Sequence, residues 1–498
     1  MRKSFCLAIF LCLLTVACSF LKGAARSSGP PRPNVLFVFV DDLRPDLGCY
    51  GNKEVVSPYL DAFARESAVF TRQYVTVPTC GASRYSLLTG KLPATIAQLQ
   101  NSAFEKLMAP NLHTEAPESF VDLFRRNGYR TIGVGKISHA VDGYIYPYDG
   151  EKSGQLEMPQ SWDEMLLDPG IWKTGWNAFF GYADGSSRTS RNGNARPYES
   201  GAVEDEGYID GLTVKVARDK LDELSRDDKP FFLGVGLFRP HLPFSSPAKY
   251  WELYDEEKLS LTPSPEIPQN VNPASLHVSG EFNSYKAGDE KPSLQQPVSD
   301  AYARKLRHAY YASVSYTDAQ IGKLLQKLKA LGLEKNTVVV IWGDHGWHLG
   351  DHRVWGKHTI FERGVHSVLM VKSPGMKKKG VARHAIVSSI DIYPTLVELC
   401  NLPRPEGLDG RSFTPLLRRP DAAWDNVAYS YFNSGISVRN DRYRYTRYFR
   451  SQVPAIELFD HQADPYENTN IAEKYPDITT QLDRVLEKGN TRLYDRAR

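Results

Sequence analysis

Four apolar stretches that each end abruptly at charged or imidazole side chains constrain the fold of this chain most. They are 34-NVLFVFV-40, 130-RTIGVG-135, 231-FFLGVGLF-238 and 337-TVVVIW-342. Their nearly continuous apolar character is typical of strands that are buried on both faces of a sheet. Helical patterns separate them, including one over about 314–330. The sequence therefore predicts an α/β fold with a mostly parallel sheet sandwiched by helices.

Polar residues follow each of these strands. They are Asp41 and Asp42 after the first strand, Lys136 and His139 after the second, Arg239 and His241 after the third, and Asp344 and His345 after the fourth. A polar loop after a single strand is ordinary. The carboxyl ends of parallel strands, however, share one edge of a sheet, where ligands bind. Four such endings therefore predict one site.

The residue types at these endings favour a metal site. Asp41, Asp42 and Asp344 bring three carboxylates beside the imidazole of His345. Three negative charges in one cleft repel each other unless a cation lies among them. Oxygen-rich ligands favour calcium or magnesium over zinc. The alternative is that these aspartates cap helices or form turns. Candidate cations for an anionic substrate are Arg84, Lys136, Arg239 and Lys357.

A lone cysteine stands at the start of a predicted helix in 77-VPTCGASRYSLLTG-90. The backbone N–H groups at a helix N-terminus attract anions. Together with Arg84, this position predicts that Cys80 is a thiolate of low pKa. The alternative is a small buried apolar residue that only packs.

The chain has 498 residues, and its pattern changes along its length. Residues 34–374 are predicted to form the main domain, which contains the predicted site. Two stretches within it, near 150–205 and 262–300, are rich in Gly, Ser, Pro and Asn, and we expect them to be surface insertions. Shorter elements from 375 to 498 predict a smaller C-terminal α/β subdomain.

The N-terminus resembles an export signal. Arg2 and Lys3 precede an apolar run over 4–20 and small residues at 23–28, so residues 1–25 are predicted to be removed. The run falls short of the ~20 apolar residues of a membrane helix. We therefore expect a periplasmic or secreted protein without a transmembrane span in its mature form; a lipid anchor at Cys18 is the alternative.

Charge and cysteine content limit the partners. A formal net charge of +3 over 498 residues argues against nucleic acid, whose binders carry basic faces. The mature chain would keep only Cys49, Cys80 and Cys400, which is not a disulfide framework. Whether Cys49 and Cys400 pair is left open by the sequence.

The motifs together resemble a known family. Cys80, Ser83 and Arg84, followed by Leu88-Thr89-Gly90, look like the signature of type I sulfatases. The segments 34–51, 343–362 and 458–472 are also similar to that family, and 231–244 with 344-DHGW-347 most resembles the iduronate-2-sulfatase branch. The resemblance implies an alkaline-phosphatase-like fold and hydrolysis of sulfate esters on a sulfated sugar or polysaccharide-derived oligosaccharide.

The resemblance also implies roles for individual residues. A maturation enzyme would oxidise Cys80 to formylglycine, and one calcium ion would be held by Asp41, Asp42, Cys80, Asp344 and His345. Arg84 would stabilise the hydrated formylglycine, and His139 would orient and deprotonate it. The sulfate would be contacted by Lys136, His241 and Lys357, with Lys136 or His241 helping the leaving oxygen depart.

The chemistry explains the need for a modified side chain. One hydroxyl of the hydrated aldehyde attacks sulfur, and the second then expels sulfate, whereas a plain Ser or Cys would remain sulfated. Ala82 stands where the family most often has proline, which favours the extended form read during maturation. Two alternatives remain: a phosphate or phosphonate ester hydrolase of the same fold, and a non-catalytic binding protein with unmodified Cys80.

Overall fold

A nine-stranded mixed sheet forms the centre of the computed structural model, which describes residues 32–109 and 117–495. The expected signal segment 1–25 and the anchor residue Cys18 lie outside the described residues. The strands of this sheet are β1 (Asn34–Val40), β2 (Ala68–Tyr74), β3 (Arg130–Gly135), β4 (Glu164–Leu166), β6 (Phe231–Leu237), β8 (Thr337–Gly343), β11 (His366–Ser367), β12 (Leu369–Lys372) and β13 (Ala382–Ser388). The strands outside it are β5 (Tyr198–Gly201), β7 (Phe244–Pro247), β9 (His348–Leu349), β10 (Trp355–Gly356), β14 (Ala428–Phe432), β15 (Gly435–Arg439), β16 (Tyr443–Tyr448) and β17 (Ile456–Asp460).

The four strands predicted from the sequence lie side by side. β1 pairs in parallel with β6 on one side and β8 on the other, and β3 pairs in parallel with β6. The register aligns Val40 with both Leu237 and Gly343, so the carboxyl ends of these strands are level. The backbone N–H of Asp41 donates to Leu237, and that of Asp344 donates to Val40. The prediction that these endings share one edge is confirmed.

Helices cover both faces of the sheet. The helices of the described residues are α1 (Pro58–Ala64), α2 (Cys80–Thr89), α3 (Ala103–Leu107), α4 (Phe120–Arg126), α5 (Gly175–Phe179), α6 (Ile209–Leu224), α7 (Ala248–Trp251), α8 (Gly280–Asn283), α9 (Asp300–Ala330), α10 (Glu362–Val365), α11 (Ile392–Leu399), α12 (Thr414–Arg418) and α13 (Pro476–Gly489). Two large apolar clusters, one on each face, bury the side chains of β1 alternately: Leu36 and Val38 in one, Phe37 and Phe39 in the other. The predicted helix 314–330 begins earlier in the structure, at Asp300. The sequence did not predict its first part because residues 306–318 are buried around the whole helix and show no apolar stripe.

The C-terminal part begins as a continuation of the main sheet. β13, beyond the predicted boundary at residue 375, pairs in parallel with β2. A bulge between Arg383 and Ile386 interrupts it, which weakens its sequence pattern. The separate antiparallel sheet follows from Ala428 onward as β14-β15-β16-β17, and α13 packs against it. The smaller C-terminal subdomain is therefore present, but its own sheet begins later than residue 375.

The prediction that both insertions lie on the surface is wrong for part of each, because some of their aromatic side chains are buried. Trp172, Trp176 and Phe179 from the first insertion are buried in a cluster of their own with Phe238. Phe282 of the second insertion packs in the main core. Sparse aromatic residues in a Gly- and Ser-rich context give no helix or strand period, so this burial is not visible in the sequence. Among residues 32–109 and 117–495, no helix has the length and apolar character needed to cross a membrane.

The close approach of β6 to the backbone of Lys136 can be tested at Gly236. A Cβ built at Gly236 would lie 2.0 Å from the backbone oxygen of Lys136, whereas one at Gly154 would meet no atom within 4 Å. Gly236→Ala should therefore push β3 from β6 and lower the free energy of unfolding by about 3 kcal/mol. Urea denaturation checks this, with Gly154→Ala as the matched control. Equal stability of the two variants would contradict the close approach at Lys136.

Candidate active site

The carboxyl edge of the sheet collects the predicted acidic and basic residues in one buried cluster. Asp41, Asp42, Asp344 and His345 are inaccessible to solvent, and Lys136 is 1% exposed. The backbone N–H of Asp42 donates to Asp344 Oδ1 at 2.9 Å. Asp42 has φ +58°, a left-handed conformation that aspartate tolerates better than most residues. This turn lets both aspartates of the doublet face the cluster.

Two carboxylates are neutralised by direct ion pairs. Lys136 Nζ lies 2.6 Å from Asp41 Oδ2, and Arg84 Nε donates to Asp344 Oδ2 at 2.9 Å. Arg84 also lies 3.4 Å from Asp41. Burial raises the pKa of Asp41, but Lys136 and the neighbouring cations lower it more. The pKa of Asp41 is therefore well below its usual range.

The remaining carboxylate is less well compensated. Lys357 Nζ lies 3.0 Å from Asp42 Oδ1. Burial nevertheless raises the pKa of Asp42 well above its ordinary value, and the nearby Asp41 adds to this. A second positive charge at this point would stabilise the ionised form of Asp42.

Cys80 is the first residue of α2, and its side chain faces the centre of the cluster. Its Sγ lies 3.2 Å from His345 Nε2 and 3.3 Å from Lys357 Nζ. The prediction of a low-pKa thiolate is wrong. Burial and the negative charge of Asp41 raise the pKa of Cys80 to about 12, despite Lys357 and Lys136. Without further chemistry, Cys80 is a neutral thiol among carboxylates.

The donor atoms fit a divalent cation. Asp41, Cys80, Asp344 and His345 each offer one atom, and these atoms lie within 4.8 Å of one another; Asp42 forms a second such group with Cys80 and His241. His345 Nδ1 lies 2.9 Å from the carbonyl of Gly346, which can only accept. Nδ1 therefore carries the proton, and the lone pair of Nε2 is available to a metal.

The comparison with family models identifies the class of protein. The sulfatase family model matches residues 33–402. The chain belongs to the sulfatase family. A model of the C-terminal region of N-sulphoglucosamine sulphohydrolase matches residues 350–492 of this sulfatase.

Iduronate 2-sulfatases are among the relatives of this sulfatase. The mouse protein is 29% identical over 435 residues, which cover 80% of this chain and 74% of the mouse protein. The human protein is 32% identical over 356 residues, covering 69% of this chain and 60% of the human protein. An ulvan-active sulfatase of Formosa agariphila is 29% identical over 499 residues, covering 95% and 84%. The predicted type I family and iduronate-2-sulfatase-like branch are confirmed, and the protein is a sulfuric ester hydrolase.

Solved structures confirm the predicted alkaline-phosphatase-like fold. A phosphonate monoester hydrolase from Silicibacter pomeroyi superposes with a TM-score of 0.71 at 23% identity, covering 93% of this chain and 96% of that chain. A 2-O GAG sulfatase superposes with a TM-score of 0.64 at 20% identity, covering 93% of each.

The sulfatase site has a further carboxylate that the sequence did not indicate. Glu281, on α8 of the second insertion, lies 2.9 Å from His241 Nε2 and 3.2 Å from Lys357 Nζ. Partial burial raises the pKa of Glu281, but Lys357 and His241 lower it further, to well below its usual range. Residue 281 lies in a stretch without periodicity or a recognisable motif, so no sequence signal could have found it.

The two other predicted histidines, His241 and His139, have different surroundings. Burial and Lys357 lower the pKa of His241 to about 4, and its Nδ1 faces the carbonyl of Leu242 at 2.7 Å.

His139 has its ring centroid 5.7 Å from that of Trp176, and its buried Nδ1 lacks a hydrogen-bond partner. Partial burial and Lys136 lower the pKa of His139 well below its ordinary value.

Arg239 was a candidate cation for the anion, and its position contradicts this. Its guanidinium donates to the backbone carbonyl of Phe179 from both Nη1 and Nη2 at 3.2 Å. Its own backbone N–H donates to Asp210. A strand-end arginine in the sequence carries no sign of whether it turns towards a site or anchors a loop; here it anchors the insertion that contains Phe179.

Glu281 should compete with any anion for His241 and Lys357. Replacing Glu281 with Gln removes one negative charge from these cations and should tighten the binding of inorganic sulfate about tenfold, or ~1.4 kcal/mol. Titration calorimetry with sodium sulfate measures this, and the exposed Glu252→Gln is the matched control. Weaker or unchanged binding in Glu281→Gln would show that Glu281 does not face the anion.

Proposed function

We propose that this sulfatase hydrolyses sulfate esters of a sulfated sugar or polysaccharide-derived oligosaccharide through a formylglycine made from Cys80 and with one calcium ion. The observation that carries this proposal is the position of Cys80. Its sulfur is within 3.3 Å of both an imidazole and an ammonium group, at the centre of three carboxylates. A reactive group at that position would meet both the metal ligands and the candidate sulfate-binding cations.

Asp41, Asp42, Cys80, Asp344 and His345 would hold the calcium ion. When present, the ion would supply positive charge beside the nucleophile, and formylglycine would supply two hydroxyl groups on one carbon. The carboxylates favour an oxygen-preferring cation. The side chain of Arg84, fixed by Asp344 and by the backbone carbonyl of Lys136, would stabilise the hydrated formylglycine.

The remaining residues would bind sulfate and move protons. Lys136, His241 and Lys357 would offset the negative charge of the sulfate ester as it reacts. Lys136 or His241 would give a proton to the departing sugar oxygen. His139, kept neutral by its surroundings, can accept a proton and would deprotonate and orient the formylglycine.

The relatives support a glycan as substrate. Their names include iduronate 2-sulfatase, an ulvan-active sulfatase and a 2-O GAG sulfatase. We propose a uronic-acid-containing or marine-type polysaccharide or its oligosaccharides. We also propose export to the periplasm or outside the cell, maturation by a formylglycine-generating enzyme that accepts Ala82, and no nucleic-acid partner.

A phosphate or phosphonate ester hydrolase is the second candidate, since the fold is shared with a phosphonate monoester hydrolase. Turnover of 4-nitrophenyl sulfate and 4-nitrophenyl phosphate distinguishes the two. We expect the ratio of kcat/KM values to favour sulfate by at least about 100-fold. A preference for the phosphate ester would support the second candidate instead.

The modification has a direct signature in mass. Replacing the thiol of Cys80 with an aldehyde removes H₂S and adds oxygen, so a peptide covering residues 73–84 should lose about 18 Da. Mass spectrometry of protein purified from its native host measures this. An unmodified peptide would contradict the proposed nucleophile and favour the non-catalytic binding protein.

Loss of the side chain should abolish turnover. Cys80→Ala should lower kcat for 4-nitrophenyl sulfate by about 10⁴-fold or more, because it removes the side chain that would form the proposed covalent intermediate. Cys49→Ala is the matched control, since Cys49 lies outside the cluster and should keep the wild-type rate. Residual activity of Cys80→Ala near that of the control would refute a role of Cys80 as nucleophile.

A further inference from the structure

A cavity of about 800 Å³ lies beside His139 and is bounded mostly by segments between residues 139 and 157. Its size is within the ~300–1,000 Å³ of sites for small organic ligands. Its walls combine aromatic rings with amide groups, including Tyr144, Tyr148, Trp176, Asn101 and Gln155. Aromatic walls with a few placed polar groups are typical of ligand sites.

Tyr148 presents an open aromatic surface in this cavity. Its side chain is 44% exposed, whereas Trp176 beneath it is 3% exposed. The two rings pack with 4.5 Å between their centroids, and Phe180 lies 5.4 Å from Tyr148. Trp176 is itself fixed, since its Nε1 donates to the carbonyl of Tyr146 at 3.2 Å. Buried aromatic residues therefore support Tyr148 while leaving part of its ring accessible.

The charged groups of the cavity disfavour an anion. Among the described residues that line it, Glu105 and Glu157 are acidic and none is Lys or Arg. Lys152 lies at the rim, with its ammonium 3.7 Å from the ring centroid of Tyr144, but it is paired with Asp142 at 3.3 Å. A carboxylate or sulfate in this cavity would lie near the carboxylate of Glu105, with no Lys or Arg among the lining residues to offset its charge.

The cavity lies near the catalytic cluster through His139, which senses the charges of Lys136 and Asp41. His139 belongs to its wall and its ring lies against Trp176. Partial burial raises the pKa of Tyr148, while the ammonium of Lys136 lowers it, so this ring lies within electrostatic reach of the cluster. A ligand attached to a sulfated sugar at the cluster would extend into the cavity.

We infer that this cavity binds an uncharged pyranose residue next to the sulfated residue of the glycan. The apolar face of the pyranose packs on Tyr148, and its hydroxyl groups bond to the amide and carboxylate groups of the wall. The inference rests on the proposed function, which makes the ligand a glycan. It narrows that function, because the neighbour of the sulfated sugar is neutral rather than a uronic acid or a second sulfated residue.

Titration calorimetry with defined oligosaccharides tests this without turnover. The neutral panel is agarose-, xylan- and maltodextrin-derived tetrasaccharides, and the anionic panel is hyaluronan- and alginate-derived tetrasaccharides. The wild type should bind at least one neutral series and bind the anionic panel at least about tenfold more weakly. Tyr148→Ala should weaken neutral binding about tenfold, and Tyr475→Ala, at a comparably exposed tyrosine, should not.

A charge change gives a second test at an exposed position. Glu105→Lys should improve binding of the anionic panel about tenfold, because it introduces the missing cation. Stronger binding of the anionic panel by the wild type, absence of neutral binding, or unchanged neutral affinity in Tyr148→Ala would each overturn the inference. Inactivity towards 4-nitrophenyl sulfate would refute the proposed function while leaving these binding results unaffected.

Discussion

The structure of the catalytic edge depends on the compensation of buried negative charge. Asp41, Asp42 and Asp344 have no solvent-accessible surface, and an unpaired buried carboxylate costs several kcal/mol. Lys136 and Arg84 neutralise two of them at 2.6–2.9 Å, and Lys357 pairs with the third at 3.0 Å. These cations come from different parts of the chain, so the charges that stabilise the fold are the same ones that the proposed metal and anion binding would use.

The insertions add further side chains to this centre. Glu281 comes from the second insertion and contacts His241 and Lys357 directly. Trp176 comes from the first insertion and supports both His139 and Tyr148. The sheet therefore fixes the buried charges of the cluster, while irregular segments supply side chains around them. This division follows from the rigidity of strands and the tolerance of loops to change.

The sequence predicts the sheet better than the loops. The strands that precede Asp41, Lys136 and Asp344 have a strong apolar pattern. Because the carboxyl ends of parallel strands lie at one edge of a sheet, these ends could be predicted to lie together. The raised pKa of Cys80 could not be predicted, because it depends on burial and on Asp41, which is distant in the chain. Glu281 lies in a stretch without a pattern, and Arg239 has the same sequence context as the residues that reach the cluster but bonds to Phe179. Strand order beyond the first pairs, including the return of residues 382–388 to the main sheet, also depends on contacts that sequence periodicity does not encode.

The most direct test of the central claim is the metal content of the purified protein. Inductively coupled plasma mass spectrometry should find one calcium ion per wild-type chain and per chain of the exposed control Asp421→Asn. Asp42→Asn keeps the left-handed backbone tolerated by asparagine but removes one charge, so it should lose most of the bound calcium. Absence of a stoichiometric divalent cation from the wild type, or full calcium retention in Asp42→Asn, would contradict the account.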